Sequence, residues 1–350
     1  GDDWPFRTVV ADELTKLNPG EKFPSQREIM KRYGVSQLTV EKAVAKLRDD
    51  GYLLQTPNKS LIASEHIKRF NSQLSPTLML AVPRWASSDA AELEQTVEEL
   101  RSSYPDYRLL VYKFDIGQTI PSQLPMLEEN VAGLLILPTS GTITLADVTI
   151  LQSFNVPLIL WGWHLDSFGI ASVGTDDIFA GAMCMHYLFE RGHRKIGILL
   201  SEPHNKIIMD RVKGAMDYAE LNHIEVQIVD CEVVSGEVAA HKTYQKFRQV
   251  IESGISFTAM VAISGESLQG AVNACYHCHI SIPDKLSIIA IGNEKLTETF
   301  FPPVTVAAIR CNEQIKVALD ILSSSQREER KTCYVKPTII ERQSVKAIQP

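Results

Sequence analysis

The 350-residue sequence has little of several features that mark particular protein classes. Cysteine occurs only six times, which is too few for a disulfide-stapled scaffold and is typical of a reducing compartment. No apolar run approaches the roughly 18–20 residues that cross a membrane. The first residues, Gly1-Asp2-Asp3-Trp4-Pro5, are acidic and lack the apolar centre of a signal peptide. We therefore expect a cytoplasmic protein that does not enter a membrane.

Charge of one sign does not dominate either, with 35 Lys and Arg against 42 Asp and Glu and a formal net charge of −7. The hydrophobic content of 45% and charged content of 22% exclude a mainly disordered, collagenous or coiled-coil chain. The length predicts two to three domains at roughly 100–200 residues each. The first 70 residues carry a net charge of +2 and the rest −9. This modest asymmetry leaves room for a local nucleic acid-binding module at the N-terminus.

The N-terminal segment has the spacing of three short helices and a hairpin. Apolar residues at helical spacing predict a first helix over about 6–17. A capping box, Ser25-x-x-Glu28, predicts the start of the second helix, and Gly34 its end. Ser36 is expected to cap the third, with a buried stripe formed by Val40, Ala43, Val44 and Leu47. Two short strands, 52–56 and 61–63, complete a winged helix-turn-helix, whose third helix fits the major groove of DNA.

This segment resembles the GntR-type DNA-binding domain. The matching residues are 20–28, Gly34-Val35-Ser36, Thr39-Val40 and 47–51. The resemblance implies double-stranded operator DNA as a partner. The residues expected to contact it are Arg27, Ser36, Gln37, Thr39, Lys42 and Lys59.

Two features depart from the family pattern. The arginines that usually follow Val-Ser and Thr-Val are Gln37 and Glu41 here, and the wing carries Asn58-Lys59-Ser60 in place of paired glycines. Glu41 would repel a phosphate, although a carboxylate can accept a hydrogen bond from cytosine N4. A degenerate head that serves protein contacts therefore stays open as an alternative.

From residue 77 onward, short apolar runs alternate with amphipathic stretches. The runs start near 77, 109, 132, 158, 195, 226, 259 and 286, and helical stretches include 90–100, 178–191, 212–221 and 241–251. This alternation predicts an α/β fold of two doubly wound parallel-sheet lobes, with a ligand cleft at the carboxyl ends of the strands. We expect a DNA-binding domain at 1–64, a linker at 65–76 and an effector-sensing domain at 77–350. Lobe 1 is expected at about 77–191 and 306–328, and lobe 2 at about 192–305 and 329–345.

Landmarks over about residues 77–345 look like the effector domain of the LacI/galactose-repressor family, which is related to periplasmic sugar-binding proteins. They are 173–177, 191–197, 211–215, 280–288, 301–305 and 341–344. Together with a GntR-type head, the arrangement is similar to the arabinose-repressor architecture. The resemblance implies a bacterial transcriptional regulator, expected to be a homodimeric repressor that reads a roughly palindromic operator and responds to a small molecule.

A sugar is recognised by planar polar groups and by aromatic surfaces that stack on its ring. Arg211 matches the family's ligand-contacting arginine, and Asp176 matches the family's recurrent acid before the crossover helix. An ion pair and a helix cap are their respective structural alternatives. Trp85 and Trp163 follow strands and could stack on a sugar or a base. The remaining candidates for effector binding are Arg84, Ser140, Glu266 and Asn293.

The opposite wall departs from the family, since Ser264-Gly265 replaces the usual Asn-Asp pair and Asn293-Glu294 replaces two acids. A hexose or pentose specificity therefore does not carry over. The effector is expected to be a sugar or sugar derivative, and a purine or other nucleobase is the alternative.

Other chemistry has weaker support. Cys275-Tyr276-His277-Cys278-His279 contains one C-x-x-C, but no second ligand pair follows as in structural zinc sites. Neither a phosphate-binding loop nor a Ser-His-Asp arrangement is visible. We expect no metal, no cofactor and no enzymatic activity. A periplasmic transport receptor is disfavoured by the DNA-binding head and the missing signal peptide.

Overall fold

The computed structural model describes residues 13–67, 75–84, 88–126, 129–139, 142–324 and 332–350. These residues divide into two compact units. The first contains the described residues up to Thr77 together with those of 104–108 and 125–132, and the second contains all others. Trp85, Ser140 and the predicted helical residues before 13 lie outside the described residues.

The N-terminal unit has the predicted order of helices followed by a hairpin. Helix α1 spans Gln26–Tyr33 and helix α2 spans Gln37–Asp49. Strand β1 (Leu53–Gln55) pairs antiparallel with β2 (Leu61–Ala63). We call residues 13–67 the head and the β1–β2 hairpin its wing.

Local sequence explains where the two helices begin. The Ser25 Oγ accepts from the Glu28 backbone N–H, and the Glu28 carboxylate accepts from the Ser25 N–H at 2.7 Å, which is the predicted capping box. Gly34 ends α1 at a φ of 65°, in the left-handed region that glycine tolerates best. Ser36 caps α2 by accepting from the Thr39 N–H at 3.2 Å. The turn between the helices is therefore confined to residues 34–36.

The head has its own apolar core. The predicted stripe of α2 is buried, and it packs with Leu14, Phe23, Ile29, Tyr52, Leu53, Ala63 and Ile67. Ile67 is only 1% exposed. The core of the head therefore extends beyond residue 64, where we expected the linker to begin.

The strands of the first six-stranded sheet are β3 (Thr77–Pro83), β4 (Arg108–Phe114), β5 (Val131–Ile136), β6 (Leu158–Trp161), β7 (Ser172–Thr175) and β13 (Cys333–Val335). Across the sheet they follow the order β13-β7-β6-β5-β3-β4. Strands β5, β6, β7 and β13 pair in parallel. Helices α3 (Ser88–Leu100) and α4 (Leu145–Ser153) connect successive strands, as expected for a doubly wound sheet.

The strands of the second sheet are β8 (Lys195–Leu200), β9 (Glu225–Asp230), β10 (Ala259–Ala262), β11 (Ser287–Gly292), β12 (Thr305–Ala308) and β14 (Thr338–Ile340). Across the sheet they follow the order β14-β12-β11-β10-β8-β9. Helix α5 (Asp177–Glu190) leads into β8. The helices between the later strands are α6 (Lys206–Leu221), α7 (Ala239–Glu252), α8 (Leu268–His277) and the short α9 (Glu294–Glu298). Neighbouring strands of this sheet pair in parallel, except β12 and β14, which are antiparallel. Two buried apolar clusters cover the two faces of this sheet.

The lobe boundaries differ from those that we expected from chain order. Helix α5 belongs to the second lobe, because Ala180, Met185 and Leu188 pack into a cluster with β8 and β10. Strand β12 also lies in the second sheet, whereas β13 lies in the first. Helix α10 (Cys311–Ser323) contacts β6 and β7 of the first lobe. The chain therefore crosses between lobes at 175–177, 308–311 and 335–338.

Candidate DNA interface and ligand cleft

The residues predicted to contact DNA lie on the surface of the head. Gln37 is the first residue of α2, directly after its cap, and its side chain is exposed. Ser36 and Thr39 place their hydroxyl oxygens 2.9 Å apart at the same end of the helix. Lys42 is exposed one turn further along, and Lys59 lies at the turn of the wing with a φ of 62°. The start of α2, the end of a recognition helix that reads bases, therefore presents several polar groups beside the exposed Leu38.

The two departures from the family pattern contact each other. The Gln37 Nε2 donates to the Glu41 Oε1 at 2.7 Å. Further along the helix, the Arg48 Nη2 donates to the Gln55 Oε1 at 3.1 Å and so connects α2 to the wing. Arg27 is exposed on α1. The individual roles of these residues toward DNA stay predictions.

A cavity of about 390 Å³ lies where the two sheets of the second unit end. Trp163, His164 and Leu165 line it from the loop after β6, and residues 203–206 line it from the loop after β8. Trp163 lies at the carboxyl end of its strand as predicted, but it is only 7% exposed. A small part of the indole is therefore available to a ligand.

A second cavity of about 450 Å³ shares His164 and Lys206 with the first. Four carboxylates line it, and we refer to the two cavities together as the cleft. The four are Asp166, Asp176, Asp177 and Asp210. This wall therefore offers several carboxylate oxygens as hydrogen-bond acceptors, together with one lysine and one histidine side chain.

Contacts on this wall connect the lobes and orient its groups. The His164 Nε2 lies 3.9 Å from the Asp177 Oδ2 across the crossing point, and the His164 ring packs 4.3 Å from the Tyr334 ring. The Tyr334 hydroxyl donates to Asp166 at 2.7 Å. Burial would raise the pKa of Asp166, but hydrogen bonds from Thr332 and Tyr334 hold that pKa below its ordinary value. Asp166 therefore stays an anionic acceptor.

Arg211 is held in a buried ion pair. Its Nε lies 3.0 Å from the Asp177 Oδ1, and its Nη1 donates to the Ile263 carbonyl at 2.9 Å. The side chains of Arg211 and Asp177 are 9% and 2% exposed. Asp177 lines the second cavity, so the ion pair supports the wall of the cleft.

Asp176 is a helix cap whose carboxylate also lines the cleft. Its Oδ1 accepts from the Phe179 N–H at 3.0 Å at the start of α5. The cap and the ligand-contact interpretations are compatible, because a carboxylate oxygen has further acceptor capacity.

The other candidates lie at strand ends. Asn293 caps α9 by accepting from the backbone N–H groups of Lys295 and Leu296. Glu266 is exposed beyond β10, and Ser264 donates to Glu202 at 2.9 Å nearby. Arg84 is exposed after β3, and its guanidinium donates to the Lys113 carbonyl at 3.5 Å. Contact of these residues with an effector stays a prediction.

Several residues of the cleft were not predicted from the sequence. Lys206 and Asp210 form an ion pair of 2.6 Å one turn apart on α6, just before Arg211. Their i,i+4 spacing on a helix could have shown that the two side chains pair with each other. His164 directly follows Trp163, so it could have been found as the neighbour of a predicted residue. Tyr334 reaches the cleft from a distant strand, and no local signal points to it.

The Cys275–His279 segment lies at the end of α8. Burial raises the pKa of the Cys275 thiol to about 12, so that thiol is not a ready thiolate ligand. Within the residues that the structure describes, no group of three or more His, Cys, Asp or Glu is placed to hold a metal ion. None of the described helices is long and apolar enough to cross a membrane.

Family comparisons define the class of protein. Residues 13–61 match the model of the bacterial regulatory proteins of the gntR family, and residues 185–345 match that of the periplasmic binding protein-like domain. The chain is thus a transcriptional regulator in which a GntR-type helix-turn-helix domain is joined to a periplasmic binding protein-like, ligand-binding domain. The predicted fold class and family resemblance are confirmed.

Individual relatives cover most of the chain at low identity. The HTH-type transcriptional repressor PurR of Klebsiella pneumoniae is 22% identical over 333 residues, 91% of this chain and 96% of that protein. A LacI family regulator from Enterococcus faecium, solved with bound ribose, matches at a TM-score of 0.63 and 19% identity over 78% of this chain and 100% of that one. A regulator named GntR from Chromobacterium violaceum matches at a TM-score of 0.61 and 19% identity, over 77% and 98%. The structural matches establish a shared fold.

Proposed function

We propose that the chain is a cytoplasmic, homodimeric repressor without enzymatic activity, which binds a roughly palindromic operator through its head and responds to a small ligand in the cleft. In this proposal the head, the linker and the effector-sensing domain are the segments expected from the sequence, with the head extended through Ile67. The observation that carries the proposal is the position of the cleft. Its walls come from the strand ends of both lobes and from Thr175, Asp176 and Asp177, where the chain crosses between them.

The lining favours a neutral, polyhydroxylated ligand such as a sugar or sugar derivative. Hydroxyl groups donate to carboxylates, and the wall provides those of Asp166, Asp176 and Asp210. A phosphorylated or polyanionic ligand would be repelled by the same groups. The Enterococcus faecium regulator with bound ribose supports a sugar on this fold.

Ligand binding at a crossing point provides a route to the DNA. A ligand that contacts both walls stabilises the closed arrangement of the lobes, which changes the spacing of the two heads in a dimer. Ligand and operator must then alter each other's equilibrium affinity by the same factor.

A nucleobase is the second candidate ligand, because Trp163 lines the cleft and an indole stacks on a base as well as on a sugar. The two candidates differ in what they need from the wall. A base needs the ring of Trp163, whereas a polyol needs the acidic wall.

A thermal-shift screen of the full chain distinguishes the two candidates. The panel contains monosaccharides, polyols, sugar acids, sugar phosphates and purines. A ligand at 100 times its Kd adds about 2.7 kcal/mol to the unfolding free energy. This corresponds to several degrees, at roughly 2–4 °C per kcal/mol. We expect shifts from neutral sugars or polyols and none from their phosphates.

The Asp176→Asn variant tests whether the ligand binds in the cleft. Asparagine can still cap the helix, but it lacks the negative charge that would accept from the ligand's hydroxyl groups. We expect this variant to keep the wild-type melting temperature and to lose most of the ligand shift. Asp217→Asn on the exposed face of α6 is the matched control. A purine that stabilises wild type and Asp176→Asn equally would favour the second candidate. If no compound of any class stabilises the chain, that result would contradict a ligand-controlled repressor.

A further inference from the structure

The recognition helix α2 begins with a hydrogen-bonded pair where the family pattern has two arginines. Gln37 is the first residue after the Ser36 cap, and Glu41 follows one turn later on the same side of the helix. Both side chains are exposed, and the Gln37 Nε2 lies 2.7 Å from the Glu41 Oε1. Residues at the start of a recognition helix are the ones that reach base edges in the major groove.

The chemistry of the pair decides how the Gln37 amide is turned. An ionised carboxylate only accepts hydrogen bonds, so the Gln37 amide must direct its NH₂ group toward Glu41. One N–H is used in this bond. The Gln37 carbonyl oxygen and the second N–H remain available, which is one acceptor beside one donor.

We propose that Gln37, held in this orientation by Glu41, reads an adenine at one position of each operator half-site. The inference rests on the proposed DNA-binding function. Adenine presents an acceptor, N7, and a donor, the N6 amino group, in the major groove, which complements the available amide groups. Guanine presents two acceptors, N7 and O6, and would place its O6 against the Gln37 carbonyl oxygen.

The same pair explains why the departure from arginine is compatible with DNA binding. Arginine has donors only and commonly pairs with the two acceptors of guanine. Glu41 uses its charge to orient Gln37, so that less side-chain freedom is lost when the base is bound. Phosphate contact is left to cationic residues of the head such as Arg27, Lys42 and Lys59, which are all exposed.

The experiment is operator selection from a randomised duplex library with the full chain, followed by anisotropy titrations of the selected duplex. We expect one adenine per half-site whose replacement by guanine weakens binding about 5- to 150-fold. Gln37→Arg should move the preference at that position to guanine and leave the other positions unchanged.

Gln95→Arg is a matched control. Gln95 donates to Glu99 at 3.1 Å in another i,i+4 Gln–Glu pair, which lies on α3 of the second unit. This variant should keep the wild-type preference at every position.

Glu41→Gln tests the orienting role. The Gln37 amide can then turn either way, so we expect the adenine-over-guanine ratio to fall several-fold while affinity for duplexes in general does not weaken. A role of Glu41 in helix stability alone would weaken all duplexes alike, and that result would overturn its orienting role.

Two negative results separate this inference from the proposed function. A selected operator that Gln37→Arg reads with unchanged preference overturns base reading by Gln37 and leaves DNA binding intact. Failure of the wild-type chain to enrich or bind any duplex overturns both.

Discussion

At the scale of single residues, the ion pair between Arg211 and Asp177 is the most consequential buried contact of the cleft wall. Removing one partner of a buried pair leaves an uncompensated charge, which costs about 3–5 kcal/mol. We expect Arg211→Met to lower the unfolding free energy by about that amount, measured by urea denaturation. Loss of ligand binding in an Arg211 variant therefore reports on the fold as well as on contact.

Two further variants make this prediction specific. Lys213→Met breaks an exposed pair with Asp217 two residues along α6, and such pairs contribute about 0–1 kcal/mol. Adding Asp177→Asn to Arg211→Met removes the orphaned charge and should restore part of the lost stability. A single Arg211→Met variant as stable as Lys213→Met would contradict the structural role.

Glu202 predicts a pH dependence of stability. Burial raises the pKa of its carboxyl above the ordinary 4.5; the hydrogen bond from Ser264 lowers it in part, and the charge of Glu266 raises it further. The folded state then binds this proton more tightly than the unfolded state does. Stability contributed by Glu202 is therefore present below pH 4.5 and is lost as pH rises through the raised pKa.

The measurement is the melting temperature of wild type and Glu202→Gln between about pH 4 and pH 7. We expect the variant to gain on wild type as pH rises, because glutamine does not titrate. Glu220→Gln, on the exposed side of α6, is the control. Parallel curves for wild type and Glu202→Gln would refute the prediction.

At the scale of elements, helices α5 and α6 approach each other through two glycines. A Cβ at Gly181 would lie 1.8 Å from the Arg211 carbonyl oxygen, and a Cβ at Gly214 would lie 1.8 Å from the Ile178 carbonyl oxygen. The crossing brings the start of α5, with Asp176 and Asp177, next to Arg211. Close helix packing and the geometry of the cleft wall therefore depend on the same two positions.

Gly214→Ala should destabilise the chain although alanine is the better helix former. The gain in helix propensity is about 1 kcal/mol, whereas separating two packed backbones costs about 1–3 kcal/mol or more. We expect a net loss of unfolding free energy together with weaker ligand binding. Gly117→Ala, whose Cβ would meet its nearest atom at an ordinary 3.4 Å, is the control. A stabilised Gly214→Ala would show that the helices separate without cost.

Elements with a strong local pattern were predicted from the sequence, whereas several short strands were not. The capping box and the α2 stripe were predicted from local chemistry, and the apolar runs anticipated β3, β6, β8 and their neighbours. Strands β7, β12, β13 and β14 were missed. Each has only three or four residues and, unlike the equally short β6, contains no run of four large apolar residues; its pairing with neighbours in the sheet defines it. Lobe membership of α5 was wrong for a related reason, since chain order does not show on which sheet a crossover helix packs.

The candidate site shows the same difference between features with a local sequence pattern and features that depend on distant contacts. Asp176 was predicted at a helix start, where the structure places it, whereas the capping role of Asn293 was not predicted. The pairing of Arg211 with Asp177 and the approach of Tyr334 depend on contacts between residues that are far apart in sequence. Such contacts have no local pattern.

At the scale of the whole molecule, the proposed switch consists of three chain crossings, a ligand between the lobes and a DNA-binding head. The acidic cleft predicts which ligands bind, because a neutral polyol should stabilise the chain and the phosphate of that polyol should not. Coupling between ligand and DNA has a typical size of about 1–3 kcal/mol, or about 5- to 150-fold in affinity.

The most direct test of the central claim is the affinity of the full chain for its selected operator with and without a saturating ligand from the thermal-shift panel. Fluorescence anisotropy at fixed salt measures it, since phosphate contacts make the affinity strongly salt-dependent. We predict at least about a 5-fold change, matched by an equal change in ligand affinity when the operator is saturating. Equal operator affinities with and without the bound ligand would contradict the account.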